Sequence, residues 1–157
     1  MDEDKAFRDH LVALLKGGQA YESFDQIVGG FKAKHRGVVP SGAEHSPWEI
    51  FEHMRITQRD ILDFSRNDKG TYKEKDWPDE YWPTRPGPPN PTAWKKSVEQ
   101  FHADRKALQG LARKGDLLRA FPWGDGQTLL RELLLAADHN AHHLGQLVIL
   151  RRLLGDE

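Results

Sequence analysis

Apolar residues in this 157-residue chain recur every three or four positions and show no one-by-one alternation, which confines the chain to helices. The clearest signal is Ser46-Pro47-Trp48-Glu49. Ser46 can cap, Pro47 suits the first helical position, and Glu49 can reach back to the cap amide. Ile50, Phe51, Met54, Ile61, Leu62 and Phe64 continue that helix to about Ser65. Phe7, Leu11, Leu14 and Leu15 predict an earlier helix over 4–16, closed by Gly17-Gly18. Ser23-Phe24-Asp25-Gln26 reads as a second capping box opening a short helix that Gly29-Gly30 ends. Residues 34–45 read as a loop. Helices over 91–113, with Trp94, Val98, Phe101 and Leu108 inward, and over 128–154 complete the set.

Four principal helices without strands predict an all-α four-helix bundle, and the length suits a single domain over 1–157. The long connection over 66–90 holds Pro78, Pro83, Pro86, Pro88 and Pro89 together with Trp77, Tyr81 and Trp82. Linkers are poor in aromatics, so this segment is expected to be an ordered loop packed on the domain. It is long enough to cross the bundle, which lets the second and third long helices run parallel.

The 23 Lys+Arg against 24 Asp+Glu lack the basic excess of a dedicated nucleic-acid binder or of an electrostatic membrane anchor. Mean hydropathy is −0.73, and no apolar run approaches the roughly 18 residues of a membrane helix. Met1-Asp2-Glu3-Asp4 lacks a secretory signal's basic and apolar regions, so a cytoplasmic location is expected, with no nucleic-acid or membrane partner. With no cysteine, disulfides, thiolate metal sites and a Cys nucleophile are excluded. Metal chemistry would have to use imidazole and carboxylate ligands.

The eight histidines then matter. His139 and His143 are four apart on the last helix and so share one face. Their stripe, Glu132, Leu135, Ala136, His139, His143, Gln146 and Leu150, looks into the bundle. His53 lies on the capped helix in the stripe Glu49, Ile50, His53, Thr57, Asp60, Ile61, Phe64. Two readings stand. Three imidazoles from two facing helices can form an open tripodal metal site, or each can be a packed histidine bonded to a carbonyl. His142 points about 100° away from His143, beside Arg131 and Asp138, and reads as solvated. His10, His35, His45 and His102 lack a partner at ligand spacing and read as surface or loop residues, with His45 near a pocket mouth. The tryptophans read as core and lid packing, and Asp138 and Asp60 as solvated or imidazole-supporting groups, not acid/base catalysts.

Two motifs carry a family resemblance. Ser46-Pro-Trp-Glu-Ile-Phe-Glu-His53 is similar to the W-x-x-x-x-H helix of the DinB/YfiT-like metalloenzyme superfamily, and Asp138-His139-Asn-Ala-His142-His143-Leu-Gly-Gln146 to its terminal H-x-x-x-H-x-G-Q helix. Gly124-Asp-Gly-Gln-Thr-Leu-Leu-Arg-Glu132 and the Trp/Pro-rich loop resemble one branch of it, so the likeness spans almost the whole chain. That branch often has Tyr or Thr where this chain has His142. The resemblance implies a four-helix bundle with a long crossover, and a divalent ion, zinc or nickel, on His53, His139 and His143. Relatives include thiol-dependent S-transferases and a mycothiol-dependent maleylpyruvate isomerase.

The expectation is therefore a metal-dependent enzyme acting on a small-molecule substrate, a thiol-dependent S-transferase or a related hydrolase or isomerase. The metal would lower the pKa of a bound water or thiol. Any thiol would have to be a low-molecular-weight cofactor such as bacillithiol or mycothiol. Gln146 could orient a ligand, and Glu49, Asp60 and Glu132 could hydrogen bond the imidazoles. The alternative is a non-catalytic helical module that holds a metal or small ligand. Metal binding is expected to weaken as the pH falls through about 6, since imidazole must be neutral to ligate. The last helix is apolar nearly all round, through Leu130, Leu134, Ala141 and Val148, which makes a homodimer an expectation.

Overall fold

The computed structural model describes residues 2–156. Among the described residues five α-helices follow one another: α1 Glu3–Lys16, α2 Phe24–Gly29, α3 Pro47–Ser65, α4 Ala93–Lys114 and α5 Leu129–Leu153. Among the described residues β structure is limited to an isolated Ala120–Thr128 bridge.

Local chemistry sets the ends. Ser46 Oγ accepts the Glu49 amide while the Glu49 carboxylate accepts the Ser46 amide, and Pro47 opens α3. Ser23 and Gln26 form the same reciprocal box at α2. Each box satisfies amides that the first helical turn would leave unpaired. Gly17 and Gly18 turn the chain after α1 at φ 69° and 74°, a region that side chains with a Cβ rarely enter. Helix α4 begins two residues later than its Asn90-Pro91 signal suggests. Asn90 Oδ1 accepts from the Thr92 amide and hydroxyl, forming a turn that precedes the helix.

The four long helices are arranged around the bundle in the order α1, α4, α3, α5. Trp48 meets Trp94, Gln58 bonds the Phe101 carbonyl and Arg59 bonds Asp104, so α3 and α4 run parallel. Arg8 bonds the Ala112 carbonyl and Arg105 the Lys16 carbonyl, so α1 and α4 run antiparallel. Asn140 donates to Gln58 while His143 lies against His53, so α3 and α5 are antiparallel as well.

The core has two parts. One gathers Phe24, Phe51, Met54, Trp94, Phe101 and Leu147, with Phe24 and Phe101 stacked at 4.2 Å. The other gathers Leu11, Ile61, Leu62, Leu108, Leu129 and Leu133. Gln58 and Asn140, both buried, lie between them in sequence on α3 and α5 and bond each other at 3.0 Å. Leu130 and Val148 pack against these two clusters, so part of the apolar surface of α5 is used within the bundle, while Leu134 is exposed.

Residues 66–90 are tied down at several points. Tyr72 and Tyr81 both donate to Asp60, at 3.3 and 2.7 Å. The Ser46 hydroxyl donates to the Pro86 carbonyl. Gly37 faces Gly87 so closely that a Cβ on Gly37 would lie 2.7 Å from the Gly87 Cα, which locks the 34–45 loop against the crossover. Of the three aromatics expected to pack, Tyr81 and Trp82 are partly covered. Trp77 is the exception, at 72 % exposed.

Candidate metal centre

His53 sits two turns into α3, and His139 and His143 one turn apart on α5. The antiparallel packing of those helices brings the three rings together. One ligating nitrogen from each lies within 4.8 Å of the other two. The Nε2 atoms of His53 and His139 are 3.1 Å apart. Ring centroids are 4.7 Å apart for His53 and His143 and 4.4 Å for His139 and His143. His53 and His143 are buried and His139 is half-buried.

Hydrogen bonds fix two of the tautomers. His53 Nδ1 lies 2.9 Å from the Tyr81 carbonyl. A carbonyl only accepts, so Nδ1 carries the proton and Nε2 presents its lone pair. His143 Nδ1 lies 2.6 Å from Gln146 Oε1, which leaves its Nε2 equally bare. Burial, reinforced by the neighbouring imidazoles, pushes His139 down to about 3. Burial also pushes His143 down to about 4, against the pull of Gln146, and lowers His53 against the pull of the Tyr81 carbonyl. The cluster is thus three neutral imidazoles: His53 and His143 present bare Nε2 atoms, and His139 Nε2, 3.1 Å from His53 Nε2, is placed to donate to it, a proton that a metal ion would displace. The all-nitrogen donor set fits zinc or nickel and disfavours oxygen-seeking magnesium and calcium.

The other residues singled out in the sequence are placed as follows. Gln146 bonds His143 directly. Asp60 acts one step away: it accepts the Tyr81 hydroxyl, and the Tyr81 carbonyl holds His53. Burial raises the Asp60 carboxyl, while the two tyrosine hydroxyls pull it down. Glu132 is buried, paired with Arg131 at 2.7 Å. Glu49 is engaged at the Ser46 amide, not at an imidazole. His142 is exposed. His35 and His102 have partners that spacing did not suggest: His35 bonds buried Asp156 at 2.8 Å and His102 bonds Asp25 at 2.7 Å.

Trp82 was not foreseen as part of the site. Its ring stacks on His53 at 4.1 Å, nearly parallel at 5°, and it also stacks on His45 at 4.3 Å. Neither the stack nor the Tyr81 carbonyl has a periodic signature. The only sequence sign was the unusual aromatic content of a proline-rich loop.

A cavity of about 610 Å³ opens beside the cluster, within the range of small-molecule sites. His139, Thr57, Asp60, Glu132 and the aromatic rings of Tyr72, Trp77, Tyr81 and Trp123 line it. Thr57, one turn after His53, has a buried hydroxyl with no hydrogen-bond partner. Among the described residues the histidine cluster has three members, and no helix is long and apolar enough to cross a membrane.

Residues 18–147 match the DinB superfamily. A solved structure from Exiguobacterium sibiricum 255-15, assigned to the DinB family, shares the fold with a TM-score of 0.60 at 18% identity, covering 99% of this chain and 93% of that one. No curated protein matches.

Proposed function

This chain belongs to the DinB superfamily, and we propose that it is a metal-dependent enzyme whose three-histidine cluster works on a small molecule held in the adjoining cavity. The observation that carries this reading is the union of three neutral, converging imidazoles with an open cavity at His139. A purely structural site is closed by a fourth protein ligand, whereas a catalytic one keeps a position open.

His53, His139 and His143 would hold the ion, zinc or nickel. When bound, it supplies Lewis acidity toward an oxygen or sulfur group of the reactants. The Tyr81 carbonyl and Gln146 hold His53 and His143 by their Nδ1–H groups, and such support typically matters about 10–100-fold in metal affinity. Trp82 covers one face of His53 and helps keep bulk water from the cluster. The chain has no cysteine, so in a transfer to sulfur the thiol would be a second small substrate. Transfer of a group to a low-molecular-weight thiol, or to water, is the reaction class proposed.

Zinc- or nickel-loaded protein incubated with a panel of electrophiles, with and without low-molecular-weight thiols, tests this. Metal-dependent product formation that His143→Ala abolishes supports it. A loaded protein inert in every arm favours the binding-module reading.

A further inference from the structure

The cavity beside the histidines has a chemistry that the metal reading does not use. Its charged lining consists of Asp60, Glu74, Asp125 and Glu132 against a single Arg131. Arg131 is already paired with Glu132 and Lys75 acts on Asp60 from the adjoining surface, which leaves the exposed Glu74 and Asp125 as the wall's unbalanced carboxylates. One further feature points to a bound molecule. Trp77 stands 72 % exposed at the cavity, held between Tyr81 at 5.4 Å and His53 at 6.4 Å. An exposed indole on an otherwise pinned loop is apolar surface without a partner, and indole is the best aromatic face for a cation.

We infer that the substrate of this site carries a positive charge, an ammonium or quaternary amine seated on Trp77 and faced by the cavity carboxylates. Carboxylates and aromatic rings attract such a group together, through Coulomb attraction and the ring quadrupole. An anionic substrate would be repelled by the Glu74 and Asp125 carboxylates in the same wall. This names the substrate class of the site proposed above and rests on that reading for where reaction occurs. Recognition of the cation belongs to the cavity wall and is measurable without metal.

The test is a ligand-observed NMR titration of metal-free protein with three probes of similar shape: benzyltrimethylammonium, benzyl alcohol and benzoate. A separate zinc titration of the same preparation reports on the metal reading, so the two can fail independently. Benzyltrimethylammonium is expected to bind about tenfold or more tightly than benzyl alcohol, with benzoate weakest. Trp77→Ala should abolish the preference and Trp77→Phe should keep part of it. Glu74→Gln with Asp125→Asn, two exposed positions, should reduce it. Equal binding of all three probes, preference for benzoate, or no saturable binding of any of them would overturn the inference.

Discussion

The Tyr81 carbonyl oxygen accepts a hydrogen bond from His53 Nδ1 at 2.9 Å, and the hydroxyl of the same tyrosine donates to Asp60 at 2.7 Å. One residue of the crossover thereby orients an imidazole of the histidine cluster at its backbone and anchors itself to α3 at its side chain. The loop is part of the site and not merely a connection between helices.

Asp60→Asn should therefore weaken metal binding without removing a ligand. The expected loss is about 10-fold, at the low end for indirect support of a ligating histidine. Gln146→Leu, which removes the direct partner of His143, should lose more, toward about 100-fold. Competition with a chromophoric zinc chelator measures both. A loss in Asp60→Asn as large as in His139→Ala would show that the carboxylate itself is a ligand.

The histidine pair on α5 allows a sharper contrast. His139→Ala and His143→Ala should each remove most zinc affinity, whereas His142→Ala, at an exposed position, should leave it nearly intact. Equal effects of all three in calorimetric titrations would indicate a histidine-rich surface and not a tripod.

Acid should destabilise the metal-free protein through these same groups. His139 and His143 are held at about 3 and about 4 in the fold, against 6.5 for a free imidazole. Between those values the unfolded chain binds protons that the fold does not, so stability falls as pH drops from above 6.5 toward 4. Each group contributes up to about 1.4 kcal/mol per pH unit over its window. Urea unfolding of the metal-free protein at several pH values should give a shallower slope for His139→Gln than for the parent chain. The depressed values also move the expected loss of metal from pH about 6 to lower pH, because the folded imidazoles stay neutral further into acid.

Ser46 gives a stability test away from the histidines. Its hydroxyl caps α3 and also bonds the Pro86 carbonyl, so Ser46→Ala should cost about 1–2 kcal/mol in denaturant unfolding. It should also speed amide exchange across the crossover. Ser46→Thr should recover part of the cap. An unchanged midpoint for Ser46→Ala would contradict the double role.

What could be read in the sequence was local. The Ser46–Glu49 and Ser23–Gln26 boxes, and the shared face of His139 and His143, follow from spacing within one helix, and the structure places them so. The proximity of His53 was suggested by a face that mixes apolar and polar residues. What could not be read depends on how the long loop lies. The Tyr81 carbonyl, the Trp82 stack and the tyrosine pair on Asp60 join residues with no common period. A backbone acceptor has no residue type to betray it. Glu49 shows the converse: a carboxylate one turn before His53 looked available to the site, but the cap amide three residues away claims it.

The most direct measurement is the X-ray absorption spectrum of the protein loaded with one equivalent of zinc. The expected result is one tightly bound ion per chain with three imidazole nitrogens at about 2.0–2.1 Å and a fourth, exchangeable light-atom ligand, and loss of one imidazole shell in His53→Ala. A spectrum with a single imidazole or none, or a spectrum unchanged in His53→Ala, would contradict the three-histidine centre.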